Sequence, residues 1–453
     1  MITLSDTEEH VPEIFAIGIG ECGSNLVASY LHSRQEKKLS IRIRDYLIMN
    51  TDKSDLTKTR DRYNISKART LNYGNVDIGV GGKFIEGFNT VMESKDVILN
   101  TLKELGYEGI SGFVVFTSLG GGTGCGGTPA LVQLLRERFE KEEGRKIFIY
   151  VVGVLPFADQ SSESLNTVWA LSRLLRAQLE DIGPDLILLL SNRTMLSRVL
   201  AFQSGQSSDM VQSRLGVDIL DFSVQGLKNK AQDREEHMKE EFIEIINPLA
   251  MEAIDYMLSP GVTEKGKTVQ PTTDLADYAR KLDSIVVPVL FIDIPLFPEI
   301  GDMETQLLTA IDYGVARASL ANMGRKPDAE SVYAVFSGSK DLSRIEFTPL
   351  LKKALNPFIA KGASVTPTFI SYEREGVVPS LLLLFGYPKV PEIRDILEEA
   401  KALIQLHSKG SDIKEHWFKR SKGVTKDVLL TAVSDLEQLF GSYMPVEADN
   451  KTP

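Results

Sequence analysis

The chain has 453 residues, a net charge of −11 and an apolar content of 43%. That length calls for two or three domains with a sizeable core, and the acidic balance excludes a general nucleic-acid binder, which needs a basic face. The longest apolar runs, Leu186–Leu190 and Ile285–Leu290, fall far short of a membrane span, and two cysteines, Cys22 and Cys125, make no disulfide framework. The acidic start Met1–His10 lacks the basic and apolar stretches of a secretory leader, and the five histidines have no metal-ligand spacing. A reduced, cytoplasmic setting is expected.

In chain order, Ile14–Gly18 reads as a first strand, followed by the glycine loop Gly18-Ile-Gly-Glu-Cys-Gly23 and a helix carrying Leu26, Val27, Tyr30 and Leu31. Ile41–Met49 is a second strand ending in Asn50-Thr51-Asp52. A polar stretch leads to another glycine cluster, Gly79-Val-Gly-Gly-Lys-Phe-Ile-Glu-Gly87, and a helix from about Phe84 to Leu105. Phe113–Phe116 is an apolar strand running into the richest glycine loop, Gly120-Gly-Gly-Thr-Gly-Cys-Gly-Gly127. Thr128 and Pro129 then suit a helix cap and first turn, because proline gives up a donor that has no partner there. Strands at Arg145–Leu155 and Asp185–Leu190 flank a helix at Ser164–Glu180. Nearly all-apolar strands alternating with helices predict a parallel sheet covered on both faces, with every glycine loop at a carboxyl strand end and so in one crevice.

Residues 201–245 are less regular, and the charge run Arg234–Glu241 reads as a solvated face. Ile245–Leu258 is an apolar helix broken by Ser259-Pro-Gly261. A second α/β segment follows, with strands at Ile285–Ile294, Val332–Phe336, Thr366–Ser371 and Leu381–Phe385 and helices near Thr305–Ala321, Thr348–Ala360 and Ile393–Leu406. This pattern predicts a smaller domain on its own sheet, then one or two terminal helices and a polar tail.

Three stretches compete as phosphate loops. Gly18-x-Gly20-x-x-Gly23 with Asp52 at the next strand end is formally a dinucleotide fingerprint, which alone suggests an NAD(P)-dependent oxidoreductase. Such a fold needs no second, richer glycine loop at its fourth strand. Gly261-Val-Thr-Glu-Lys-Gly-Lys-Thr268 matches G-x-x-x-x-G-K-[ST] letter for letter, but a helix precedes it and Pro271 follows it, against the strand–loop–helix context a P-loop needs. Gly120–Gly127 remains: small residues let the backbone close on an anion, and free N–H groups with a helix dipole face it. It has no phosphate-binding lysine of its own, so Lys83 is the available cation.

Gly120-Gly121-Gly122-Thr123-Gly124-Cys125-Gly126 resembles the signature loop of the tubulin/FtsZ superfamily of GTPases, and further short matches follow in order along nearly the whole chain. Gly20-Glu21-Cys22-Gly-Ser-Asn25 is similar to that family's first nucleotide loop, Asn50-Thr-Asp52 to its second, and Gly79-Val-Gly81-Gly82 to its third. Glu163-Ser-Leu-Asn166 is similar to the ribose-contacting loop. Asn192 and Asn247 fall where the family reads guanine. Thr272-Thr-Asp274-Leu-Ala-Asp277 resembles the loop that reaches the nucleotide of the next subunit in a filament.

The resemblance implies a Rossmann-like parallel-sheet GTPase domain over residues 13–244 after a tail at 1–12. It further implies a central helix at 245–262, a second α/β domain at 263–407, and terminal helices with a tail at 408–453. It implies GTP/GDP and Mg²⁺ as ligands, the metal held through phosphates with Glu21 and Asp52 within reach through water. It implies head-to-tail self-assembly, a membrane adaptor or regulatory protein as further partner, and catalysis by Asp274 and Asp277. The residues support that role independently: a loose phosphoryl-transfer transition state needs a positioned water, and two carboxylates three apart share one helix face; capping of that helix by the same acids is compatible. This sequence departs from the family at Thr272 in place of Asn, Glu21 in place of Gln, and Cys125 in place of a hydroxyl. Its end shows no FtsZ-type adaptor peptide, and its loops read closer to tubulin and the archaeal CetZ group. These departures keep a second expectation open, a filament subunit that binds nucleotide with little hydrolysis.

Overall fold

The computed structural model describes residues 13–37, 43–74, 79–157, 161–203, 247, 250–251, 253–258, 275–282, 285–293, 303–339, 344–372, 380–408 and 418–440. The loop match at Gly261–Thr268, the charge run at Arg234–Glu241, Thr272, Asp274 and both chain ends lie outside them.

Ten strands form one sheet in the order β3-β2-β1-β4-β5-β6-β7-β10-β8-β9. In chain order they are β1 (Ile14–Ile19), β2 (Ile43–Asn50), β3 (Thr70–Asn72), β4 (Gly112–Ser118), β5 (Phe148–Leu155), β6 (Leu186–Ser191), β7 (Ile285–Asp293), β8 (Ala329–Ser339), β9 (Ile359–Tyr372) and β10 (Ser380–Gly386). The first six pair in parallel in the order 3-2-1-4-5-6, a doubly wound sheet whose direction reverses between β1 and β4. Both strands are buried except at Ser118, and alternate residues feed opposite cores. Phe15, Ile17, Phe113 and Val115 face one, while Ile14, Ala16, Val114 and Phe116 face the other.

One face carries α3 (Phe84–Glu93), α5 (Gly122–Arg136), α6 (Ser161–Leu179), α9 (Met303–Arg317), α10 (Arg344–Leu355), α11 (Pro391–Leu406) and α12 (Lys426–Phe440). The other carries α1 (Gly20–Lys37), α7 (Asn192–Gln203), α8 (Leu275–Leu282) and the helical residues 250, 251, 253, 254, 257 and 258. Tyr30 on α1 donates a 2.5 Å hydrogen bond to Asp255, tying that central stretch to the first helix. Two short helices, α2 (Lys53–Arg62) and α4 (Lys95–Glu104), complete the set. Among the described residues no helix is long and apolar enough to cross a membrane.

Three expectations are corrected. The second segment does not build its own sheet: β7 joins β6 in parallel through Ile187↔Ile285 and Leu188↔Val286, and β10 continues antiparallel between β7 and β8. A free edge on β6 is a row of unpaired amides and carbonyls, and pairing it removes that cost. The helix after the glycine loop starts at Gly122, so Pro129 lies inside it. Its glycines let α5 approach α3 at backbone distance, since a Cβ on Gly126 would sit 1.8 Å from the Phe84 carbonyl. The helix placed at Thr348–Ala360 ends at Leu355, because Pro357 has no amide to continue it.

Candidate functional site

The reversal point between β1 and β4 is the mouth of a cleft of about 450 Å³ at the carboxyl ends of the strands. Two helices begin there, α1 at Gly20 and α5 at Gly122. The first helical turn leaves its amides without intrahelical partners, and the first bond of α5 runs from the Cys125 amide to the Gly121 carbonyl. The amides of Gly122, Thr123 and Gly124 are therefore offered to the cleft that these residues line. A Cβ on Gly20, whose φ is +74°, would stand 3.1 Å from the Gly124 amide, so the two helix starts converge on one point. Two convergent dipole ends make a site for a polyanion.

The loops are held before any ligand arrives. Ser118 Oγ accepts from the Gly120 and Gly121 amides at 3.2 and 3.4 Å. Thr123 and Thr51 share a 2.7 Å hydroxyl bond that ties the glycine loop to the one after β2. Asn72 holds the carbonyls of Asn50 and Thr51 at 3.1 and 3.2 Å, and Asp52 caps α2 through the amides of Ser54 and Asp55. Asn25 accepts from Thr59 at 2.8 Å. The third glycine loop reaches the first turn of α5: a Cβ on Gly122 would collide with Gly82 Cα at 2.7 Å.

Of the sequence-predicted residues, Gly20, Glu21, Cys22, Asn25, Asp52, Gly81, Gly82, Gly121, Gly122, Thr123, Gly124, Glu163, Asn192 and Asn247 line this one cleft. The others sit differently. Lys83 pairs with Glu86 at 2.7 Å and is not among the residues that line the cleft. Gly126 is buried against α3. Cys125 points inward, its thiol on the Asn166 carbonyl at 3.1 Å and held well above the ordinary thiol range by burial, so it takes no hydroxyl's place at the phosphates. Asn166 is buried behind the loop, where its amide group donates to the carbonyls of Gly120 at 2.6 Å and Gly82 at 3.1 Å. Asp277 stands in the first turn of α8, away from this cleft, on a helix anchored by the Tyr278 hydroxyl on the Met257 carbonyl at 2.5 Å. Asp52's bonds within α2 use an oxygen that a dinucleotide ribose would claim.

The cleft has two chemically distinct ends. Glycine backbone makes one, while Phe157, Leu190 and Met195 make an apolar wall beside Asn192 and Asn247 at the other. Phe157 and Met195 were missed by motif reading. Both lie just past a parallel strand's carboxyl end, which is the signal that finds them. Glu21, Asp52, Asp55 and Glu163 line the cleft, and among the described residues no Lys or Arg does. Burial, with Glu21 and Glu163 near, pushes the Cys22 thiol up to about 12. Behind the apolar end, Glu392 at the start of α11 is buried and accepts from the hydroxyls of Ser191 and Thr194. Burial raises its pKa, opposed by those bonds, the Asn322 backbone and Arg193.

A sheet of order 3-2-1-4-5-6 with glycine loops at its reversal point defines a doubly wound α/β protein, the architecture in which ligands sit at that crevice. Residues 13–197 match the GTPase domain of the Tubulin/FtsZ family, and the chain is similar to CetZ proteins of that superfamily. Tubulin-like protein CetZ1 of Haloferax volcanii is 27% identical over 147 residues, 32% of this chain and 35% of that protein. Tubulin-like protein CetZ of Pyrococcus horikoshii is 27% identical over 167 residues, 35% of this chain and 40% of that protein. The chain thus aligns with well under half the length of these relatives. Among solved structures, CetZ2 from Haloferax volcanii, a GTPγS-bound protofilament, superposes with a TM-score of 0.63 at 17% identity, covering 88% of this chain and 100% of that one. CetZ from Methanosaeta thermophila gives 0.61 at 16% identity, covering 94% and 99%. These structures share the fold. The oxidoreductase reading falls with the family match and with Asp52's place in a helix cap.

Proposed function

We propose that the chain binds GTP and GDP in this cleft, hydrolyses GTP, and assembles head-to-tail, with Asp274 and Asp277 completing the site of the next subunit. The observation that carries the reading is one cleft whose glycine end faces two helix N-termini and whose apolar end carries two carboxamides, Asn192 and Asn247. A carboxamide offers both a donor and an acceptor, which suits guanine's mixed edge, while the backbone amides suit phosphate. The GTPγS-bound protofilament of similar fold is consistent with both nucleotide and assembly.

Mg²⁺ fits the donor set. Four lining carboxylates, with no lining cation among the described residues, would repel a polyphosphate, and a divalent ion would offset both. Phosphate oxygens would be its main ligands, and Glu21, Asp52 and Asp55 are the lining carboxylates that would hold its waters. When bound, the ion spreads the charge of the transferring phosphoryl group. The chain's own part is to fix the phosphates with amides, exclude the base from water, and supply the water-orienting acids from a neighbour.

Identifying the nucleotide released from denatured purified protein tests the reading directly. Guanine nucleotide is the expected result, and an adenine dinucleotide would end it. Phosphate release measured against protein concentration then tests the composite site, for which the rate per subunit must climb as polymer forms. Polymer without phosphate release would favour the non-hydrolysing filament subunit instead.

A further inference from the structure

Among the described residues no cation lines the cleft, yet one ammonium is buried behind it. Lys422 precedes α12 and is 7% exposed. Its Nζ lies 3.1 Å from the Ser162 carbonyl and 3.1 Å from Asn166 Oδ1. An isolated ammonium is costly to bury, so its partners matter. Burial draws its pKa below the usual lysine value, while Cys125 and Glu163 pull it the other way.

Lys422 also dictates how Asn166 is oriented. An ammonium only donates, so the Asn166 oxygen must face it, which leaves the amide nitrogen for the carbonyls of Gly120 and Gly82. A charged donor on one end of an amide strengthens the donors at its other end. In a trans peptide the N–H of Gly121 points opposite to the Gly120 carbonyl. Pulling that carbonyl back toward Asn166 therefore turns the Gly121 amide the other way, onto Ser118 Oγ at 3.4 Å, a residue that lines the cleft beside Gly121. Four segments far apart in sequence, at 82, 120, 166 and 422, thus meet on one side chain.

We propose that Lys422 is a positioning residue for the nucleotide site, acting through Asn166 to set the peptide planes of the Gly82 and Gly120 loops. The C-terminal segment thereby becomes part of the phosphate site without touching it. Its effect on affinity rests on the guanine-nucleotide reading, whereas its effect on the loop does not.

The test compares Lys422→Met, Lys422→Gln, Asn166→Ala, the Met/Ala double variant and Asp435→Ala. Asp435 holds α12 to α6 through Ser172 and Arg176, so its loss loosens the helix that follows Lys422 without touching Asn166. By calorimetry with GTP, Lys422→Met and Asn166→Ala should each weaken binding about tenfold, the scale of one charge-assisted hydrogen bond. The double variant should be no weaker than the weaker single one. Asp435→Ala should bind within about twofold of the parent while melting earlier. Lys422→Gln, which keeps a donor toward both partners, should retain more affinity than the Met variant and serves if that variant does not fold.

Amide exchange in nucleotide-free protein reads the loop itself. It should quicken at Gly120–Thr123 in Lys422→Met and stay unchanged in Asp435→Ala. Unaltered exchange, multiplying losses in the double variant, or an equal effect from Asp435→Ala would overturn the proposal. Failure of the parent to bind any guanine nucleotide would instead sink the functional reading, leaving the exchange result to decide on Lys422.

Discussion

Glu21 shows how one side chain sets the terms of binding. It is exposed, lies in the first turn of α1 and lines the cleft, so its charge favours the helix dipole and opposes a polyphosphate. The neutral isostere separates these effects. Glu21→Gln should tighten GTP binding several-fold in EDTA and much less in Mg²⁺, because the ion already screens the carboxylate. Equal affinities of parent and variant in EDTA would show that the charge is not felt. Glu392 carries the converse case, a carboxylate made costly by burial. Its folded-state pKa lies above the unfolded one, so the folded protein holds the extra proton just above the usual glutamate range. Stability contributed there falls as pH rises through that window, and the cost is fully present above it. The melting temperature of Glu392→Gln should therefore gain on the parent's as pH rises above the usual glutamate range, and parallel curves would reject this. Neither role was legible from sequence alike. Glu21 stood out because it breaks a motif, whereas Glu392 sits 200 residues from Ser191 and Thr194 and only the fold unites them.

At the scale of elements, the glycine loops were readable because backbone chemistry is local: a strand, small residues and a helix start follow one another in sequence. Boundaries were less so, since tertiary packing overrides local preference. Thr128 and Pro129 look like a helix start, yet α5 begins six residues earlier because its glycines pack against α3 and β4. The far end of α5 is held by Arg136, which is buried and bonds Asp185 at 2.7 Å, Glu140 at 2.6 Å and the carbonyls of Gly183 and Ile147. Asp185 in turn accepts the Ile149 amide at 2.7 Å, so one guanidinium joins a helix end to the starts of β5 and β6. Removing one partner of a buried pair strands the other. Arg136→Ala should cost about 3–5 kcal/mol, read as a lower urea midpoint, whereas Arg138→Ala on the exposed pair with Glu142 should cost about 1 kcal/mol or less. Similar midpoints for the two variants would contradict the assignment of Arg136 as the structural pin.

For the whole molecule, the continuous sheet changes what a second segment can do. Because β7 pairs directly with β6, the helix α8 that carries Asp277 is built on the same framework as the cleft, with the Tyr278 ring tilted against Tyr333 at 4.5 Å between centroids and the Ser331 hydroxyl on the Leu282 carbonyl. A rigid mount is what a residue needs if it must act on a neighbour's nucleotide, since a displacement of about 1 Å at the reacting atoms can cost a hundredfold in rate. Asp277 lies apart from the cleft of its own chain, so a single molecule holds the phosphate floor without this acid. Asp277→Ala should then keep GTP affinity, lose phosphate release at every protein concentration, and hold sedimenting polymer longer, because the nucleotide that would destabilise it is not produced. Mixing excess Asp277→Ala with parent protein should lower the turnover of the parent's own sites, since a donor lacking the acid then faces most of them. Simple additivity of the two proteins' rates would mean that each chain completes its own active site.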